Sequence, residues 1–240
     1  MEVKAIIVAG GSGSRLTPFT NYTQKTLLPI YNRPVIDYAL GRIRRAGIKQ
    51  ITIIANQFIG HIAKHVGAGL QGEVIHYVME EKPEGVAKAL SLARPFNNDC
   101  RLLIYFCDNI TTLEFKENVN QFRNSDSPPG CVLLAREEDD PRAFGVAVLE
   151  EGKIVDIVEK PENPPSNLAI GGIYLYDETF WDRFDEVYSE EFSISDVNRS
   201  YIKNSTVVLR NLGEDTWMDC GTPETLLQAG LMAKSGRLIV

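Results

Sequence analysis

Short β-branched runs alternate with helical spacing through the first half of the chain. The apolar runs are VKAIIVA from Val3, QITIIAN from Gln50, VIHYVM from Val74 and LLIYFC from Leu102. Between them, apolar residues recur at three- and four-residue intervals near Val35 to Ala46, around His61 and from Val86 to Ala93, which predicts amphipathic helices. Near-continuous apolar strands, each followed by a helix, predict an α/β fold: a three-layer αβα sandwich around a mostly parallel mixed sheet. Binding sites on such sheets gather at the carboxyl ends of the strands.

Beyond Cys131 the pattern changes. CVLLA, FGVAVL, KIVDIVEK and LAIGGIYLYD follow one another with turn signals and little helical spacing between them, so antiparallel strands are expected to join the sheet here. Helical spacing returns in ISDVNRSYIKN and TPETLLQAGLMA, while RNSDSPPG and EKPENPPSN are the most loop-like stretches and are too short to link domains. One domain over residues 1–240 is expected. The Tyr174/Tyr176 alternation reads as strand packing.

Composition narrows the partners. With 240 residues, 44% of them hydrophobic, the chain can bury a full core. Its 25 basic and 32 acidic residues leave a net charge of −7, which attracts neither nucleic acid nor an anionic membrane surface. Any anion site must therefore be built locally from few cations. No apolar run approaches the roughly 20 residues that span a bilayer, and the first strand follows no basic-then-apolar leader. Cys100, Cys107, Cys131 and Cys220 are widely spaced and include no CxxC pair. Neither a zinc site nor a disulfide framework is expected, and a reducing cytoplasm fits best. His61 and His65 share a helix face without a third ligand and read as surface or packing residues.

Candidate chemistry begins at IIVAGGSGSRLTPFT, Ile6 to Thr20. Glycines at 10, 11 and 13 directly after a strand permit positive φ and let backbone N–H groups face an anion unobstructed by Cβ atoms. The third glycine of GxGxxG would fall on Leu16, and no GxxxxGK[ST] occurs, so a dinucleotide dehydrogenase and a P-loop NTPase are both disfavoured. Arg15 alone is as readily a solvated side chain as a ligand. Lys25, however, precedes the strand-like run LLPI, and two cations flanking one glycine loop suit a triphosphate.

GGSGSRLTPFT followed by QKTLLPIYNRPVI resembles the signature of the sugar-1-phosphate nucleotidyltransferases, and most closely that of the glucose-1-phosphate thymidylyltransferases. The likeness continues through CDNI, FGVAVL, VEKPENPPSN, AIGGIYLYD, ISDVNR and WMDCGTPETL, in the order and spacing of a short form of that family. The resemblance implies a Rossmann-like nucleotide-diphospho-sugar transferase fold. Its nucleotide-binding part would cover roughly residues 1–130 and its sugar-phosphate part roughly 131–240. It also implies transfer of a nucleoside monophosphate from an NTP to a sugar 1-phosphate, a Mg²⁺ cofactor, a homo-oligomer, and no nucleic-acid or membrane partner.

Carried over by that resemblance, Ala9, Gly10, Gly11, Gly13, Glu80 and Gly85 meet the nucleotide. Arg15 neutralises the departing β,γ-phosphates, Lys25 reaches the α-phosphate, and Asp108 and Asp219 hold Mg²⁺. Asn109, Gly145, Glu159, Lys160, Gly172 and Arg199 meet the sugar phosphate. The attacking phosphate has its second ionisation near about 6 and needs no general base. This agrees with the position of His61, His65 and His76 outside every motif.

One departure bears on the base. Aligning Gly85 with the family glycine puts Glu80 where thymidylyl and uridylyl members carry a glutamine, with Glu81 as the neighbouring alternative. Gln donates to thymine O4 and accepts from N3–H, whereas ionised Glu only accepts. Such a mispairing costs roughly 1–3 kcal/mol. Lys88 also stands where glutamine is common. The first expectation is dTTP and glucose 1-phosphate. Mannose-1-phosphate guanylyl transfer, UTP- or CTP-using relatives, and a non-catalytic sugar-nucleotide sensor stand as alternatives.

Overall fold

The computed structural model describes all residues of the chain except Pro83 and Glu190. From the amino terminus it runs through β1 (Val3–Val8), a small hairpin of β2 (Pro29–Ile30) and β3 (Arg33–Pro34), α1 (Val35–Arg45), β4 (Gln50–Ala55), α2 (Ile59–Val66), β5 (Val74–Met79), α3 (Val86–Ala93), β6 (Arg101–Phe106), β7 (Asn109–Thr111) and α4 (Lys116–Asn124). There follow β8 (Cys131–Glu137), β9 (Gly145–Glu150), β10 (Lys153–Glu159), β11 (Leu168–Tyr176), α5 (Phe180–Val187), α6 (Ile194–Asn204), β12 (Val207–Asn211), β13 (Trp217–Asp219) and α7 (Pro223–Lys234).

Among the described residues, seven strands lie side by side in the order β12, β8, β11, β6, β1, β4, β5, and the β9–β10 hairpin joins the early half of β11. β1, β4, β5 and β6 are parallel. β11 runs against β6 and β8, so β8 and its parallel neighbour β12 point the same way as β6. The sheet is therefore mixed and mostly parallel, as the apolar runs imply.

Side-chain alternation explains why these strands read as continuous apolar runs. Val3, Ala5 and Ile7 of β1 enter one core with residues of α1, α2, α4 and α7. Ile6 enters a second core with α3, α5 and α6. Helices thus cover both faces, giving three layers.

Two features place the site. The carboxyl ends of β1, β5 and β6 lead into the glycine loop, Glu80 and Asp108 respectively. The reversed β11 brings its early residues to that same edge, with Ile173 opposite Tyr105. In addition, β7 and β13 form a separate antiparallel pair that sets Asp219 beside Asn109, and Cys220 N–H donates to the Asp108 carbonyl at 2.8 Å. Trp217 anchors the clasp: it is buried in the first of the two cores, with its ring centre 5.1 Å from that of Phe144.

One local reading is corrected. LLPI is not a strand over its length: Lys25–Leu27 forms a 3₁₀ turn and only Pro29–Ile30 is extended. Gln24 ends the preceding segment by accepting from the Lys25 N–H at 2.9 Å, which favours the turn. Helices α4 and α5 were not legible beforehand. In α4, only Val119 and Phe122 are buried, too sparse a stripe to show a period.

Candidate active site

The glycine loop is built at the end of β1. Gly11 and Gly13 have φ of +78° and +60°, conformations that side chains rarely adopt. A Cβ on Gly13 would also sit 2.7 Å from Thr20 Cγ2. Gln24, a residue the motifs did not single out, is 2% exposed and staples the loop from below. Its Nε2 donates to the carbonyls of Ala9 and, at 3.3 Å, Gly10. Of the four expected loop residues, Gly10 and Gly11 line a pocket with Glu80 and Gly85. Ala9 and Gly13 do not line it. The Ala9 N–H extends the ladder to Ile54 at 2.8 Å, and the Gly13 carbonyl is taken by Leu16 N–H and Thr20 Oγ1. These hydrogen bonds shape the loop.

Next to the loop, Lys25 Nζ pairs with Asp108 Oδ2. Burial opposes the lysine's charge, but Asp108, supported by Asp219, outweighs it and raises the pKa, so the ammonium persists. Burial and the adjacent Asp108 raise the Asp219 pKa, against the opposing pull of Lys25 and Arg15. Arg15 Nη2 lies 3.9 Å from Asp219 Oδ2 on a side chain that is 61% exposed, so it reaches over the site from solvent. Gly221 makes room for both: a Cβ there would lie 2.5 Å from Arg15 Nη2 and 2.7 Å from Asp219 Oδ1.

The acid pair fits a divalent cation. Asp219 Oδ1 is buried without a hydrogen-bond partner among the described residues, a costly state that a cation would relieve. Both ligands are hard oxygens, as Mg²⁺ prefers. Among the described residues, no group of three or more His, Cys, Asp or Glu could hold a metal by protein ligands alone. Cys107 and Cys220 flank the two acids, but burial raises both thiol pKa values, so they behave as small apolar residues.

A second pocket opens on the other side of Asp108. Asn109, Gly145, Glu159 and Gly172 all line it, together with Phe144, Ser195 and Trp217, which sequence reasoning missed. Asn109 is fixed from three directions. Its Oδ1 accepts from Trp217 Nε1 at 2.7 Å and from Gly172 N–H at 2.8 Å, and its Nδ2 donates to Asp108 Oδ1 at 3.0 Å. Ser195 Oγ donates to Glu159 Oε2 at 2.7 Å. Tyr174 lines this pocket as well as packing in the core. Lys160 and Arg199 do not line it. Lys160 is exposed, 3.7 Å from Glu159, while Arg199 donates to the Ile157 carbonyl at 2.8 Å and pairs with Asp196. His61 and His65 lie on the exposed face of α2, His65 bonding Asp37 at 2.7 Å.

The model of the family described as "Nucleotidyl transferase" matches residues 4–235. The chain belongs to that family. A glucose-1-phosphate thymidylyltransferase of Xanthomonas campestris pv. campestris is 35% identical over 234 residues, covering 94% of this chain and 79% of that protein. The low-salt glycan biosynthesis nucleotidyltransferase Agl11 of Haloferax volcanii is 31% identical over 237 residues, covering 95% of this chain but 65% of its own length. Among solved structures, a putative glucose-1-phosphate thymidylyltransferase from Bacillus anthracis in complex with a sucrose superposes with a TM-score of 0.90 at 34% identity, covering 97% of this chain and 95% of that one.

As a nucleotidyl transferase family member, the chain carries its glycine loop and acid pair on the same sheet edge, and the resemblance read from the motifs agrees with the matched span. Glu80 is 4% exposed and lines the loop pocket, whereas Glu81 is exposed. Lys88 is exposed as well. No helix among the described residues is long and apolar enough to cross a membrane.

Proposed function

We propose that the chain transfers a nucleoside monophosphate from an NTP to a sugar 1-phosphate, with dTTP and glucose 1-phosphate as substrates, forming an NDP-sugar and pyrophosphate. One observation carries this reading. The glycine-loop pocket and the Asn109 pocket are separate but share a wall, Phe106 and Asp108. A nucleotide in the first and a sugar phosphate in the second would meet at Asp108. The first pocket draws on residues 8–108 and the second on residues 106–219, which supports a nucleotide-binding part followed by a sugar-phosphate part within one domain. The names of the thymidylyl relatives support the choice of substrates.

The chemistry follows from charge and position. The sugar phosphate is largely a dianion at neutral pH and attacks without a base. Lys25, held cationic at the shared wall, stabilises charge building on the α-phosphate, and Arg15 takes the multidentate pyrophosphate. Asp108 and Asp219 would hold Mg²⁺, which when bound supplies further neutralisation of phosphate oxygens. Asn109 and Glu159, each fixed by neighbouring donors, orient the sugar so that its phosphate points at the wall.

A matrix of NTPs against sugar 1-phosphates, read as Mg²⁺-dependent pyrophosphate release, tests the reading. The highest rate is expected with dTTP and glucose 1-phosphate. Binding of nucleotide and sugar phosphate without release in any combination would make the chain a sensor instead.

A smaller change tests the sugar pocket. A Cβ on Gly172 would stand 2.7 Å from Asn109 Nδ2 and 2.8 Å from its Oδ1, so Gly172→Ala must displace the amide. The KM for the sugar phosphate is expected to rise about tenfold, the cost of roughly one well-placed hydrogen bond, with the nucleotide KM nearly unchanged. Equal rises in both would place Asn109 outside the sugar subsite.

A further inference from the structure

Helix α7 covers the first core with one face and leaves two leucines on the other. Leu226, Ala229, Met232 and Ala233 pack inward, whereas Leu227 and Leu231 are 66% and 58% exposed. Among the described residues, Tyr22 alone is a large apolar side chain more exposed than Leu227. Two leucines one helical turn apart form a contiguous apolar surface that the chain's own core does not use.

The same outer face carries one charge at each end. Glu224, Leu227, Leu231 and Lys234 are spaced by three, four and three residues, which lines them along one stripe about 15 Å long. All four are exposed. Among the described residues, neither Glu224 nor Lys234 takes part in an ion pair. Tyr31 widens the patch: it is 57% exposed, and its backbone N lies 3.6 Å from where a Cβ on Gly230 would stand.

The order acid, leucine, leucine, base is complementary to itself when a second copy lies across it head to tail. Glu224 then meets Lys234 and Leu227 meets Leu231, each contact occurring twice about a two-fold axis level with Ala229. A parallel copy would instead set acid against acid and base against base. The antiparallel arrangement also opposes the two helix dipoles favourably.

We infer that α7 is a homodimer interface, its partner a second copy of this chain whose α7 packs antiparallel against it. Such an isologous contact closes after two chains. The leucines supply the attraction, and the terminal charges fix the direction. Neither substrate takes part, so the contact is independent of the transfer reaction.

The test is sedimentation equilibrium from about 1 to about 100 μM chain, on the wild type, Leu231→Glu, Glu224→Lys and Lys234→Glu. The wild type is expected to approach twice the mass of one chain, and Leu231→Glu to stay at the single-chain mass. Each charge reversal alone sets two like-charged pairs in the dimer and should weaken it about tenfold or more. An equal mixture of Glu224→Lys and Lys234→Glu restores both pairs in a mixed dimer, so the mixture should associate as tightly as the wild type. All four positions are exposed, and a melting curve for each variant checks its fold. A wild type that stays monomeric overturns the proposal, as does any assembly that Leu231→Glu leaves intact. Failure of the mixture to associate more tightly than its two components also overturns it, and this arm decides alone should Leu231→Glu not fold.

Discussion

Asp108→Asn is expected to lower the rate of pyrophosphate release at least about 100-fold, the scale on which a group that stabilises transition-state charge is felt. It is also expected to raise the Mg²⁺ concentration needed for half-maximal rate. The fold should survive. Asparagine keeps the shape and can still accept from Asn109 Nδ2, which donates to Asp108 Oδ1 at 3.0 Å. The variant loses the pairing with Lys25 but also relieves the repulsion that helps to raise the Asp219 pKa. These effects oppose each other, so the melting temperature should move by only about a few degrees. Wild-type turnover in this variant would show that Asp108 is not a metal ligand.

Lys25→Ala is expected to cost a similar factor in rate, about 100-fold or more, but with the opposite effect on metal. Removing the ammonium leaves Asp108 and Asp219 facing each other without their nearest buried cation. The acid pair should then hold Mg²⁺ at least as tightly as before, while the KM for the nucleotide rises. Titration of the rate against Mg²⁺ and against nucleotide, for both variants, separates a metal ligand from a phosphate-binding cation. Parallel shifts in the two variants would mean that Lys25 and Asp108 act only as a structural pair. Because the lysine pKa is raised, its charge stays constant through neutral pH, and no pH step in the wild-type rate should arise from it.

The central strands β1, β4 and β6 were legible because they are buried on both faces, and the half-buried β5 because its β-branched run is bounded by glycine and polar residues. VIHYVM coincides with β5, and ISDVNRSYIKN with α6. The acid pair was legible only through motif order, since nothing local in CDNI or WMDCGT states that β7 and β13 bond to each other. Three-residue strands carry too little periodicity to announce a partner. Gln24, Ser195 and Trp217 were missed for a related reason: they act through hydrogen bonds to loop carbonyls, a carboxylate and an amide respectively, and such pairings across the fold leave no spacing signal. Arg199 shows the converse. Its motif was readable, yet the side chain is committed to Ile157 and Asp196 and stands away from the pocket wall.

The β7–β13 clasp ties the proposed chemistry to a late segment of the chain. The glycine loop, its lysine and the first acid all precede residue 109, and only the arrival of Trp217–Asp219 beside Asn109 supplies the second carboxylate. On the proposed reading, loosening of this late segment would part the two carboxylates while the loop and its lysine kept their places on β1 and its following turns.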